Sequence, residues 1–304
     1  MTNTSQNIII SVIICLTFLN FLMWSKTNYG GNSKSNVDQK LSEIQTKIDE
    51  ILVGKTQNSK EFQVLFSKMK EYSTSQVSIR QKTLSSINAE NQFHLLYGSL
   101  AMEVFCPSKV RVGTIGDGGK WVCNPWRIPE NSVLFSLGLN NIISFEEEWQ
   151  RMTSNRSVIY GFDVDEQQKN TKDSYAKIRG KTRKAKITNE TDTSRNEYTI
   201  EDLAKSSNVS EIEILKIDIE GAEMTCLIPF LKTYNVCQIY LEVHGGAPAH
   251  VELLNHIGQL GYRLFSYEVN GYSMDACEYS FIRDACVDKY GALPIANYLD
   301  FKKN

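Results

Sequence analysis

The sequence has no excess of basic charge: 33 Lys and Arg stand against 35 Asp and Glu in 304 residues, a net charge of −2. That balance leaves no electrostatic footprint for nucleic acid, and no DNA or RNA partner is expected. Proline is scarce, six in all, and none precedes Pro107, so nothing interrupts helices in the first third of the chain. There is no Cys-x-x-Cys pair and no Cys/His spacing of the kind that binds zinc, which argues against a structural zinc site. Long uncharged apolar runs are missing too, with one exception at the start, Ile8 to Trp24.

That run is broken only by Ser11, Thr17 and Asn20. As a helix it would span about 26 Å, the short end of what a bilayer core of about 30 Å requires. Two readings compete, a cleaved signal peptide and an uncleaved anchor. No Lys or Arg precedes the run, and Leu22-Met23-Trp24 offers no small-residue cleavage site, so residues 1–25 are expected to be a short tail and a signal-anchor. The chain would then be a single-pass type II protein of the Golgi or endoplasmic reticulum with its body in the lumen. Lys26, Lys34 and Lys40 oppose that orientation, although long domains translocate largely regardless of such charges. Asn155-Arg156-Ser157, Asn189-Glu190-Thr191 and Asn208-Val209-Ser210 read as glycan acceptors and favour it. Beyond Cys15 stand Cys106, Cys123, Cys226, Cys237, Cys277 and Cys286, enough for three disulfides in an oxidising lumen. Sequence order suggests Cys106 with Cys123 and Cys277 with Cys286; buried free thiols in a cytosolic enzyme are the alternative.

Residues 26–99 are rich in Ser, Lys, Gln, Asn and Glu. Val37, Leu41, Ile44, Ile48 and Ile51, then Phe62, Leu65, Met69 and Tyr72, alternate in steps of three and four. Such a narrow stripe predicts a helical, coiled-coil stem able to pair as a homodimer, or a single helix lying on the body. From residue 100 to 304 short apolar runs alternate with helical stretches. Strands are expected at Ser132–Ser136, Val158–Asp163, Ala185–Thr188, Glu211–Asp218, Val236–Val243, Arg263–Tyr267 and Glu278–Ile282, with helices between them. That repetition is the mark of an α/β fold, a mostly parallel sheet covered on both faces.

In such folds the ligand sits beyond the carboxyl ends of the strands. Ile214-Leu215-Lys216-Ile217 is an apolar run that ends in Asp218-Ile219-Glu220-Gly221-Ala222-Glu223, so Asp218 is the first candidate for chemistry. Val133 to Leu137 runs into Gly138, where backbone can approach a ligand, followed by Asn140 and Asn141 where further glycines are usual. About 20 residues on, a second strand ends in Asp163, placed to accept ribose hydroxyls, with Asp165 as the near alternative.

The order Asp117-Gly118-Gly119, Phe135-Ser136-Leu137-Gly138, Gly161-Phe162-Asp163, Lys216 to Glu223 and Glu242-Val243-His244 resembles the FkbM-type methyltransferases, in particular a membrane-anchored branch, over roughly residues 100–285. The resemblance implies S-adenosylmethionine as cofactor, a seven-stranded class I methyltransferase fold and O-methylation. It also implies a cofactor set of Gly138, Asn140, Ser144, Glu146, Asp163 and Asp218, with Ser144 to Glu146 opening the next helix.

Transfer to a hydroxyl needs a base or a metal. Asp218, Glu220, Glu242 and His244 are the catalytic candidates; His244 would be the base, and Asp218 and Glu242 would orient it or hold a divalent cation with it. Glu223 could instead charge the first turn of a helix. Asp117 or Lys120 could touch the acceptor, as could Asn270 and Tyr272. The expected acceptor is a hydroxyl on a glycan, glycolipid or secreted small molecule. A catalytically silent binding or scaffold module is the rival reading; a nicotinamide oxidoreductase is disfavoured because the loop lacks the glycines a pyrophosphate demands.

Overall fold

The structure, a computed structural model, describes residue 44, residues 59–116 and residues 118–302. The expected span Ile8–Trp24, the stripe from Val37 to Ile51 apart from Ile44, and Asp117 lie outside these residues. Among the described residues no helix is long and apolar enough to cross a membrane. The chain divides into Met1–Gln63 and Val64–Asn304, and the fold that follows is that of the second unit.

Three helices come first, α1 (Lys60–Ser75), α2 (Val77–Ser86) and α3 (Phe93–Ser99). A short strand β1 (Val104–Phe105) and a hairpin, β2 (Lys109–Val112) with β3 (Lys120–Cys123), lead into the alternating region. There the order is β4 (Ser132–Leu137), α4 (Ser144–Met152), β5 (Ser157–Asp163), α5 (Lys169–Lys177), β6 (Gly180–Lys184), the two-residue strands β7 (Lys186–Ile187) and β8 (Glu197–Tyr198), α6 (Ile200–Ser206) and β9 (Ile212–Ile217). It closes with α7 (Glu223–Leu231), β10 (Val236–His244), α8 (Ala247–Gln259), β11 (Tyr262–Val269), β12 (Ala276–Arg283) and β13 (Leu293–Pro294).

Seven of these strands form one sheet in the order β11-β12-β10-β9-β4-β5-β6. Strands β10, β9, β4, β5 and β6 run parallel, and β12 is antiparallel to both its neighbours. The apolar runs of the central strands have no polar alternation because both faces are buried. Leu134 and Ile214, partners across β4 and β9, belong to one core layer with Trp149 and Tyr175. Their neighbours Phe135 and Leu215 belong to the other, with Leu203, Leu227 and Leu254.

Three expectations need correction. The edge strand beside β5 is not Ala185–Thr188 but Gly180–Lys184. Its Lys and Arg residues hide a strand because it is the sheet edge, where charge is what keeps an open edge from pairing with another chain. The core reaches upstream of residue 100: Leu84 and Leu96 are buried in the same layer as the sheet, so part of the presumed stem is packed into the body. Among the described cysteines two disulfides form, Cys106–Cys123 and Cys237–Cys286, while Cys226 and Cys277 are buried free thiols. Cys277 is the second residue of β12 and Cys286 lies past its far end; the strand from Cys277 to Arg283 alone spans about 20 Å, far more than the roughly 6 Å a disulfide tolerates.

Candidate active site

A cavity of about 620 Å³ opens at the carboxyl ends of β4, β5, β9 and β10, and Gly138, Asn140, Asp163, Lys216, Asp218, Glu242 and His244 all line it. One half is built by the loop after β4. Gly138 has φ +81°, and a Cβ there would lie 1.6 Å from the Asp218 carbonyl oxygen. Glycine is therefore required because two strand exits abut, whatever ligand follows. Asn140 and Asn141 adopt left-handed φ values of 45° and 56°, the conformation asparagine tolerates better than most residues, so they keep the loop shape that glycines give elsewhere.

Asp163 fixes this loop. Its Oδ2 accepts the N–H groups of Leu139 and Asn140, each at 2.7 Å, and its Oδ1 accepts that of Asp165 at 2.8 Å. Oδ2 has both its acceptor sites filled, while Oδ1 keeps one open, which suits a ribose hydroxyl. Deeper in, Lys216 is buried, with Nζ 3.2 Å from the Gly138 carbonyl and 3.6 Å from Glu146 Oε1. Glu146 is fully buried and pairs with Lys216 instead of lining the cavity, and Ser144 does not line it either. Glu146 Oε2 and Ser144 Oγ are buried without hydrogen-bond partners. A buried ammonium at the wall, backed by unsatisfied polar atoms, fits the charged amino-acid end of S-adenosylmethionine. Lys216 interrupts the apolar run Ile214-Leu215-Ile217, a signal available in the sequence.

The other half is crowded with charge. Glu242 on β10 and Glu278 on β12 are direct cross-strand partners, and Glu268 on β11 pairs with Glu278 in turn. Three glutamates thus form a row across adjacent strands, an arrangement that costs stability unless cations cover it. The β2–β3 hairpin supplies them. Lys120, 1% exposed, binds Glu278 and lies 3.7 Å from Glu242 and 3.9 Å from Asp218. Arg111 donates to both oxygens of Glu268 at 3.0 Å, and Trp121 Nε1 donates to Oε2 at 2.6 Å. The hairpin is held in place by the Cys106–Cys123 disulfide and by buried Gln238, whose amide bonds both the N–H and the carbonyl of Cys123. Burial works against the Lys120 ammonium, but Glu278, Asp218 and Glu242 outweigh it and hold its pKa above the usual value. Burial raises the Glu242 pKa to about 8, with Glu278 adding repulsion.

His244 closes β10. Its Nδ1 lies 3.3 Å from Glu223 Oε1, which also accepts the His244 backbone N–H at 2.9 Å, while Glu223 Oε2 accepts the Gly221 N–H at 2.8 Å. Glu223 is wholly buried and so does more than charge a helix: it ties the turn after β9 to the end of β10. The Glu223 hydrogen bond raises the His244 pKa to about 9, with the nearby Glu223, Glu242 and Glu220 charges adding to it against desolvation. Nε2 faces Glu220 at 3.6 Å and Glu242 at 3.9 Å. Glu220 is exposed, with a left-handed φ of 53°. Asn270 lines the cavity, 3.5 Å from Glu242, and Tyr272 is fully exposed, its N–H bonded to Asn270.

Residues 60–283 match a methyltransferase-domain family, Methyltransf_22. The chain belongs to this family. Among curated proteins none matches it. Solved structures similar to it include M. capricolum TrmK in complex with S-adenosyl-homocysteine, at 9% identity and a TM-score of 0.35, covering 52% of this chain and 64% of that one. A second is the E81Q mutant of MtNAS, at 6% identity and a TM-score of 0.30, covering 75% and 78%. The chain thus spans under two thirds of TrmK.

Proposed function

We propose that this methyltransferase modifies a hydroxyl of a glycan, glycolipid or secreted small molecule in the secretory pathway, held to the membrane through Ile8–Trp24. The FkbM-type resemblance, and within it the likeness to the branch related to methyltransferase-like protein 24, belongs to this reading. The observation that carries it is the single cavity that joins Gly138, Asp163 and Lys216 to Asp218, Glu242 and His244. When bound, S-adenosylmethionine supplies a methyl group on a sulfonium; its C–S bond breaks as the O–CH₃ bond forms, and the bonding pair stays on sulfur. Asp163 would hold the ribose and Lys216 the carboxylate. Asp218, Glu242 and His244 would hold the acceptor oxygen and receive its proton. Two disulfides and the exposed positions of Asn155, Asn189 and Asn208 favour an oxidising, glycosylating compartment.

Calorimetric titration of the detergent-solubilised full chain with S-adenosylmethionine tests the reading. Micromolar binding is expected, weakened at least about tenfold in Asp163→Ala, which leaves the Leu139 and Asn140 N–H groups without an acceptor. Absence of binding to a folded chain would sink it. A hydroxyl-acceptor screen with labelled cofactor then follows.

A further inference from the structure

We infer that Asp218, Glu242 and His244 bind a divalent cation that accepts both carboxylate and imidazole ligands, and that the acceptor hydroxyl is held against it. The inference deepens the methyltransferase reading of this cavity and rests on it. One ligand atom from each of the three residues lies within 4.8 Å of the others. An octahedral ion with bonds of about 2.1 Å spaces its ligands about 3–4 Å apart, so closure needs movements of about an ångström.

The imidazole is set as a ligand would be. Glu223 takes Nδ1, the outer-shell carboxylate that metal-bound histidines commonly have, and Nε2 is left facing the carboxylates of Glu220 and Glu242. Nε2 and these carboxylates converge on one point, where positive charge must sit, either a proton on Nε2 or a bound cation in its place. Glu242 is divided between two neighbours: Oε2 is on the Lys120 side and Oε1 on the His244 side. Lys120 therefore covers the inner edge of the cluster and leaves the outer edge, toward the cavity, uncovered.

Charge counting points the same way. Asp218, Glu220, Glu223, Glu242 and Glu278 are five carboxylates around one ammonium, Lys120, and one imidazole, His244. Glu278 also keeps a buried Oε2 with no hydrogen-bond partner. A divalent ion would offset part of the remaining negative charge. It would lower the pKa of a hydroxyl held against it, and the released proton has an outlet in Glu220, 86% exposed and 3.6 Å from His244 Nε2. Three protein ligands leave coordination positions open, which suits an acceptor with two adjacent oxygens, such as a vicinal diol.

The probe is Mn²⁺ alone, titrated into the EDTA-treated, detergent-solubilised full chain and followed by the paramagnetic resonance of free Mn²⁺. One ion per chain is expected, with affinity falling at least tenfold in His244→Asn and in Asp218→Asn. Spin-echo spectra of the unmodified chain should show a directly coordinated histidine nitrogen. No saturable binding, parent-like binding by both variants, or no coordinated nitrogen would each overturn the site, and the last needs no variant to fold. S-adenosylmethionine titration of the same samples separates the two claims: cofactor binding without Mn²⁺ binding removes the cation alone, and Mn²⁺ binding without cofactor binding removes the methyltransferase reading of the cavity.

Discussion

The two halves of the cavity are both built from strand ends and carboxylates, yet they are finished to different degrees. Around Asp163 each oxygen meets backbone N–H groups at 2.7–2.8 Å. Around Asp218 and Glu242 the carboxylates meet one another, one lysine and one imidazole. Hydrogen bonds from fixed amides satisfy a charge without a counter-ion and make a rigid, pre-formed place for a sugar hydroxyl. The carboxylate row is balanced only in part, and it is completed by whatever cation or substrate arrives. In the proposed reading one half recognises and the other reacts.

The largest test of this contrast strikes the point where the halves meet. Gly138→Ala should destabilise the chain by several kcal/mol, because its Cβ would overlap the Asp218 carbonyl at 1.6 Å at a positive φ; urea unfolding measures it, and an undiminished midpoint would refute the abutment. Next comes the hairpin staple. Removing Cys106–Cys123, whose cysteines are 17 residues apart, as Cys106→Ala with Cys123→Ala should cost about 3 kcal/mol. It should leave most cofactor affinity in place, since the charged side chains of the hairpin bind the reacting half and its contact with the other is the Gly113 N–H on Glu148; a parallel loss of cofactor affinity would show that the halves are not separable.

Glu103 offers a comparable test away from the cavity. It is a buried carboxylate accepting the N–H groups of Leu264, Tyr298 and Leu299, yet burial outweighs those bonds and raises its pKa to about 7. The folded state therefore holds this proton more tightly than the unfolded state. The associated stability is fully present below the unfolded value of about 4.3 and is lost as pH rises through about 7, on the order of 3 kcal/mol. Thermal melts across that range should show the decline in the parent and a flatter profile in Glu103→Gln. The smallest effect is expected at Asn140, already left-handed: Asn140→Gly should change stability by under about 0.5 kcal/mol and keep cofactor binding, which calorimetry can check.

The legibility of this protein in its sequence follows the same division. Apolar runs ending in Gly138, Asp163 and Asp218 announced the parallel strands and the recognising half, because both signals are local. The reacting half was legible in its β9 and β10 residues and in Lys120 and Asn270 as single candidates, but not in how they pair. Glu278 and Glu268 join it through strand pairing, and Lys120 reaches Glu278 across 158 positions; no local pattern encodes such a register. A lone glutamate between Cys277 and Tyr279 in a buried strand was the one available hint. Gly180–Lys184 was missed because an edge strand is allowed to be polar, and the pairing of Cys237 with Cys286 because proximity in sequence does not measure distance along a strand.

The place of β12 in the sheet also bears on how the molecule is made. The recognising half uses strands complete by Ile217, whereas the carboxylate row needs Glu278, carried by the last strand of the seven-stranded sheet. During synthesis, which feeds residues out from the N-terminus at about 5–20 per second, the hairpin bearing Lys120 must wait roughly ten to thirty seconds for its buried partner. Until then a lysine destined for the interior stays hydrated, and the nascent enzyme has the elements of a cofactor cradle before it has a reaction centre.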